Sequence, residues 1–403
     1  MHLYSQSDTV VINPNDKDEI KVFLDCAFCD HDYVKQEIPF VTYVRDQNEA
    51  NVYIIITQQS TGSGGGEYTV LFAGLQGFEF MNDIFTYISE SGNTENEIRT
   101  GLTQTIKLAL MRYVLKTTLS KDISITYKKP EEIIEKEKKD KWDNWVFSTS
   151  VNGSFSGEES YTYKSLYSSV SANRITEENK FLVYAYYNFS ESHFKIGDMD
   201  IKSETDSRYI SNTYVKSLGN HWSAGYLTNV QSSTYSNYKL RFTFTPAIEY
   251  DLFPYSESTS KQLRFLYGAG FVSTSYFDTT IFNKINENQA RQSLNISLKI
   301  IKNWGSVSSS LTMSSYLPDL DKNRIILYTE LSIRIVKGLS FNLYGQFSSI
   351  HDQMSLPKAS ASSEEILLQQ RQLATQFSYY ASVGLSYTFG SMYNNIVNPR
   401  FGE

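Results

Sequence analysis

From about residue 142 to residue 389 the chain alternates apolar and polar residues with a period of two, and this pattern constrains the fold more than any other feature. Leu240, Phe242, Phe244, Ile248 and Tyr250 interleave with Arg241, Thr243, Thr245, Ala247 and Glu249. Successive side chains of a strand point to opposite faces, so such a segment has one oily and one wet side. The same alternation recurs in Trp145, Phe147, Val151 and Phe155, in Phe181, Val183, Tyr187 and Phe189, and in Leu294, Ile296, Leu298 and Ile300. It continues through Ile325, Leu327, Leu331, Ile333 and Ile335, then Leu339, Phe341, Leu343 and Phe347, and ends with Phe377, Tyr379, Val383, Leu385, Tyr387 and Phe389. With the weaker segments between them, about twelve strands are expected, an even number as in bacterial single-chain membrane barrels.

A large soluble β domain would also alternate, so the composition of the two rows decides. The wet rows are Ser, Asn, Thr, Gln and Tyr with scattered charges, suited to a hydrated lumen. The oily rows end in Tyr, Trp and Phe, as interfacial girdles do. The 30 Tyr and 24 Phe against 8 Pro are β-forming material. No apolar run approaches the roughly 18 residues of a membrane helix; the densest patch, residues 52–56, is strand-sized. Long connections are read at residues 197–207, 278–289 and 351–370, after the third, seventh and eleventh strands. Short ones are read at residues 218–220, 302–305 and 336–338, after the fourth, eighth and tenth. Residues 254–261 and 233–237 break this rule. The expected fold is mainly β: a twelve-stranded antiparallel transmembrane β-barrel preceded by a small α/β domain.

The predicted division is an α/β domain at residues 1–127, a charged linker at 128–141, the barrel at 142–389 and a tail at 390–403. In the first part, residues 21–25, 52–58, 68–74 and 123–127 read as strands, and residues 30–44 as a helical stretch interrupted at Pro39. A longer helix is capped by Asn93 or Thr94 and carries Leu102, Ile106, Leu110 and Val114 on one face. Both ends of an even barrel share one side, which puts the first domain, linker and tail in the periplasm. Residues 363–371 read as helical, within the longest extracellular loop or as an extension of the final strand. The opening Met1-His2-Leu3-Tyr4 has neither a basic nor an apolar leader region, so export requires a signal peptide already removed or a different start.

The run Phe23-Leu24-Asp25-Cys26-Ala27-Phe28-Cys29-Asp30, the following Glu37-Ile38-Pro39-Phe40-Val41-Thr42-Tyr43, and the ending Gly384-Leu385-Ser386-Tyr387-Thr388-Phe389-Gly390 resemble a family of uncharacterised Bacteroidetes outer-membrane proteins. That resemblance implies location in the bacterial outer membrane and brings no activity, substrate or catalytic residue. The strand and helix order of the first domain is also similar to the amino-terminal domain of the Tol-system propeller protein, a periplasmic interaction module. Barrels usually finish on the aromatic residue of their last strand, whereas here a tail follows Phe389.

Chemistry-bearing residues are sparse. Cys26 and Cys29 sit where a strand leads into a helix; a structural disulfide, a redox pair and half of a zinc site are the three readings, and the disulfide is the expectation. The glycine-rich residues 61–66 lack the Gly-Lys-Ser/Thr of a phosphate loop and read as a hairpin turn. Ser349-Ile350-His351-Asp352 collects hydrolase residue types, but neighbours in a strand point to opposite faces, so they do not make a triad alone. No catalytic, cofactor or metal residue is assigned. Arg241, Glu249, Lys299, Glu330 and Arg334 occupy the wet phase as lumen-facing charges whose mixed signs favour pairing, and Tyr184, Tyr186, Tyr328 and Tyr344 narrow the interior. The net charge of −7 excludes a nucleic-acid partner. The expected partners are outer-membrane lipid and a periplasmic protein met by the first domain. The function expected is non-enzymatic anchoring of that domain in a structural or envelope-assembly role, with a narrow diffusion channel as the alternative.

Overall fold

The computed structural model describes residues 19–62, 64–126, 140–196, 199–302, 304–336, 338–359, 372–390 and 400. Most of the charged linker, the stretch 363–371 and nearly all of the tail lie outside them.

The first element of the small domain is β1 (Lys21–Asp25), followed by α1 (His31–Glu37), β2 (Thr42–Tyr43), β3 (Val52–Ser60), β4 (Gly66–Gly74), β5 (Asp83–Ser89) and α2 (Glu95–Val114). The sheet runs β2-β1-β3-β4-β5, with β1 parallel to both neighbours and the rest antiparallel. Alternate residues Val22, Leu24, Ile54, Ile56, Tyr68, Val70 and Phe72 bury against Leu102, Ile106, Leu110, Tyr113 and Val114 of α2. Each such side chain fully withdrawn from water contributes about 1.5–3 kcal/mol before chain entropy is counted. Thr94 caps α2: its hydroxyl accepts from Glu97 N–H while the Glu97 carboxylate accepts from Thr94 N–H, a reciprocal capping box. The bonds it accepts from the Thr94 N–H and hydroxyl hold the Glu97 carboxyl below its ordinary pKa.

Two expectations for this domain are corrected. The stretch predicted helical over 30–44 ends at Glu37, because Ile38 precedes Pro39 and adopts a non-helical φ of −123° and ψ of 65°. Residues 42–43 then pair beside β1. The strand expected at 123–127 is absent over the described residues 123–126, and the edge position belongs to β5, bonded to β4 from Phe72↔Asp83 to Gly66↔Ser89. The run Asp-Ile-Phe-Thr-Tyr-Ile-Ser of β5 lacks clean alternation because Ile84, Phe85 and Ile88 all remain exposed on an edge.

The second sheet contains β6 (Trp145–Gly157), β7 (Tyr161–Ile175), β8 (Asn179–Ile196), β9 (Met199–Ser217), β10 (Trp222–Ser233), β11 (Tyr238–Asp251), β12 (Lys261–Tyr276), β13 (Asn286–Lys302), β14 (Gly305–Leu317), β15 (Asn323–Val336), β16 (Leu339–Ile350) and β17 (Phe377–Tyr387). Every strand pairs antiparallel with its sequence neighbours, giving the twelve strands expected. β6 and β17 are the two edges, and no pairing joins them among the described residues. The shortest strand has 11 residues and the longest 19.

The long connection predicted at 197–207 is corrected: β8 and β9 run to Ile196 and from Met199, paired out to Ile196↔Met199. Lys195–Asp200, His193–Lys202 and Glu191–Glu204 are cross-strand pairs, so charged residues that read as a loop continue the ladder beyond the apolar part of the strands. The remaining long connections fall where expected, after β12 and β16, as do the irregular ones at 252–260 and 234–237. The tight turn after β15 uses Gly338 at φ +72°, a backbone region where a side chain is strained.

Candidate functional site

The register places Arg241, Glu249, Lys299, Glu330 and Arg334 on one face of the large sheet. Glu249 stands opposite Leu266, Gln262 opposite Lys299, Lys299 opposite Ser308, and Ser308 opposite Glu330. Residues an even number apart on a strand share a face, which joins Arg241 to Glu249 and Arg334 to Glu330. We call this the inner face. Tyr184, Tyr186, Tyr328 and Tyr344 lie on it as well, where the Tyr167 and Tyr184 hydroxyls bond and Tyr344 meets Tyr328 and Tyr380 at centroid distances of 5.4 and 5.5 Å. The opposite face carries the apolar rows, and these stay exposed: Phe244 by 40%, Ile248 by 44% and Leu385 by 69%.

The predicted inner charges do not act alike. Glu249 forms an ion pair with Arg264 Nε at 3.4 Å, without a hydrogen bond, and accepts from the Tyr255 hydroxyl at 3.3 Å. Glu330 accepts from Tyr328 at 3.0 Å. Arg334 leaves the sheet and reaches the small domain, where its Nη2 meets Asp25 Oδ2 at 2.8 Å and its guanidinium lies over the Phe23 ring at 4.8 Å. Tyr53 donates to the same carboxylate oxygen at 2.7 Å and stacks on Phe23 at 5.6 Å. Burial, reinforced by that bond to Asp25, pushes the Tyr53 phenol far above its ordinary range, which keeps it a donor at all physiological pH.

This contact seats the small domain at the end of the large sheet that holds the β7–β8, β11–β12, β13–β14 and β15–β16 connections. Gly62 lies against Ile175 there. A cleft of about 890 Å³ runs between the open face of the small sheet, including Ile55, Thr57 and Leu71, and the 255–260 connection with Ile301 and Lys302. The other face of the small sheet is closed by α2, so the cleft is lined by the face that α2 leaves free.

The opposite end of the inner face is covered by residues 351–358. Met354, Ser355 and Leu356 are buried, and the backbone carbonyls of Ser355 and Leu356 accept from Asn237 Nδ2 and Ile281 N, both at 2.8 Å. Beneath this segment, Arg241 donates to the Tyr238 hydroxyl at 2.5 Å and the Tyr316 hydroxyl at 2.9 Å. Sequence reasoning placed Arg241 on this face but missed Arg291, Tyr316 and Arg324; Arg291 and Arg324 lie at even spacing from the wet rows of β13 and β15, at the strand ends beyond the alternating apolar residues, and Tyr316 lies in β14, where the apolar row is sparse.

Cys26 and Cys29 are joined as a disulfide, with sulfurs 2.01 Å apart. Asp30 beside it caps α1 by accepting from Tyr33 N–H at 2.9 Å and pairs with Arg99 at 2.7 Å; these two contacts hold its carboxyl below the usual range. The glycine-rich stretch is the β3–β4 turn, as expected. Ser349 and His351 approach at 3.5 Å, but Asp352 is turned away to Arg324 at 2.8 Å. Among the described residues no group of three or more His, Cys, Asp or Glu could hold a metal ion. No protein-family model matches the chain, and no curated protein matches it.

Proposed function

We propose that this protein is a non-enzymatic outer-membrane β-barrel, closed by joining β6 to β17, that anchors a periplasmic interaction domain with a structural or envelope-assembly role. The observation that carries the anchoring reading is the seat formed by Arg334, Asp25, Tyr53 and Phe23, which fixes the small domain to one end of the large sheet.

The membrane reading has three supports. Exposed apolar rows along a whole sheet face exceed what a soluble monomer leaves in water. All four tryptophans fall at the end carrying the small domain: Trp142 and Trp145 before or at the start of β6, Trp222 at the start of β10 and Trp304 beside the β13–β14 turn. That is where an interfacial belt would lie. Closing the sheet would satisfy the backbone groups of two edge strands that lipid would leave unpaired. The resemblance to Bacteroidetes outer-membrane proteins agrees with this placement, and the likeness of the first domain to the Tol-system module agrees with a protein partner rather than a solute.

The diffusion-channel alternative draws on the polar inner face, but the ordered Arg264–Glu249 and Arg324–Asp352 pairs and the covered ends favour the anchor. The discriminating experiment combines liposome flotation with planar-bilayer conductance of the full chain. Flotation with no steady conductance is expected. A steady conductance altered by Arg241→Gln would make the channel reading the correct one, and failure to float would sink both.

A further inference from the structure

We infer that Arg241 and Arg291, facing one tyrosine on the inner face, form a binding site for a small oxyanion, a phosphate or a carboxylate. Arg241 Nη2 donates to the Tyr316 hydroxyl at 2.9 Å, and the Arg291 guanidinium lies over the ring of the same residue at 5.8 Å. Two cations are therefore held within one tyrosine side chain of each other. Among the described residues, neither has a carboxylate within ion-pairing distance. Other inner-face arginines differ: Arg264 has Glu249, Arg324 has Asp352 and Arg334 has Asp25.

The donors are also left over. Arg291 gives one bond, Nη2 to Ser314 Oγ at 2.8 Å, and its Nε is fully buried with no acceptor. A buried guanidinium N–H without an acceptor is costly, and a charge withdrawn from water without a counter-ion more so. Planar guanidinium forks match oxyanion geometry, and two of them about a phenol supply charge and donors together. Tyr316 is 4% exposed, and Val272 and Met354, the latter from the covering 351–358 segment, pack with it, so water competes poorly there.

Glu287 is the acidic group closest in register. It stands opposite Thr274, which stands opposite Arg241, and it accepts from the Tyr276 hydroxyl rather than from either arginine. Its charge opposes anion binding, so removing it strengthens the site. The inference rests on packing of the inner face and not on the membrane reading, and a titration in detergent tests it separately.

The experiment is isothermal titration of the full, detergent-folded chain with inorganic phosphate and, in parallel, acetate, with folding checked by circular dichroism. One saturable site is expected, tighter for phosphate if the natural ligand is a phosphate and for acetate if a carboxylate. Arg291→Gln and Arg241→Gln should each weaken it at least tenfold. Glu287→Gln should tighten it severalfold, a gain that misfolding cannot produce. Arg208→Gln, opposite Tyr187 on the face away from Tyr186 and the inner row, should leave it unchanged. Absence of saturable binding of either anion to the wild-type chain overturns the inference, as does binding that survives both arginine substitutions or is unmoved by Glu287→Gln.

Discussion

Removing the Arg334 side chain should loosen the small domain from the large sheet by about one order of magnitude in the docking equilibrium. The Arg334–Asp25 contact is short, at 2.8 Å, but the side chains are 30% and 28% exposed. A charge-assisted hydrogen bond contributes about 1.5–3 kcal/mol when buried, and an exposed ion pair about 1 kcal/mol or less, so a partly exposed pair is worth about 1 kcal/mol. The stacking of the guanidinium over Phe23 adds about 0.5–1 kcal/mol. The total of about 1.5–2 kcal/mol corresponds to about a 10–30-fold change, since about 1.4 kcal/mol is tenfold. The assay is thiol labelling of Ile55→Cys, a position on the cleft face of β3 that sees solvent more fully when the domain lifts. When reclosing is faster than labelling, the rate follows the open population, and Arg334→Ala should raise it about 10–30-fold. Asp25→Asn removes the ion pair but leaves the stacking on Phe23, so it should raise the rate only about fivefold, and the double substitution should add little beyond Arg334→Ala alone, because the ion pair is lost once. A labelling rate unchanged within about twofold would show that the seat does not hold the domain.

Three further outcomes follow from the small domain and the turns. Thr94→Ala removes the cap of α2 and should lower domain stability by about 1 kcal/mol, read from the 222 nm signal in urea. Asp30 has a folded-state pKa below its unfolded value, so its contribution is full above the unfolded pKa and is lost as pH falls through the lower, folded one. The melting temperature should therefore drop across the acid carboxylate range, and Asp30→Asn should flatten that slope. Gly338→Ala places a Cβ against the Thr388 carbonyl at φ +72°, and should cost more than about 1 kcal/mol, seen as lower recovery of the heat-modifiable folded band on gels after refolding.

Period-two alternation was enough to give the number of strands, their antiparallel neighbours and the face on which Arg241, Glu249, Lys299, Glu330 and Arg334 lie. That information is local: pleating alone sends alternate residues to opposite sides. The cap at Thr94 and the buried stripe of α2 were legible for the same reason, because capping and helical spacing act within a few residues. Position β5 escaped because an edge strand is specified by what it pairs with, and β4 accepts it through backbone bonds that make no demand on alternation. The β8–β9 extension escaped because charged residues resemble a loop until a partner strand continues beside them.

The sequence by itself could not say which inner-face charges find counter-ions. Arg241 and Arg334 look alike as isolated residues in a wet row, yet Arg334 pairs with Asp25, more than three hundred positions earlier in the chain, and among the described residues the Arg241 guanidinium donates only to phenols. Ion pairing depends on separations of a few ångströms between distant segments, and only the closing of the tertiary structure sets those. Local alternation therefore determined the faces of this protein, and long-range packing decided what each face does.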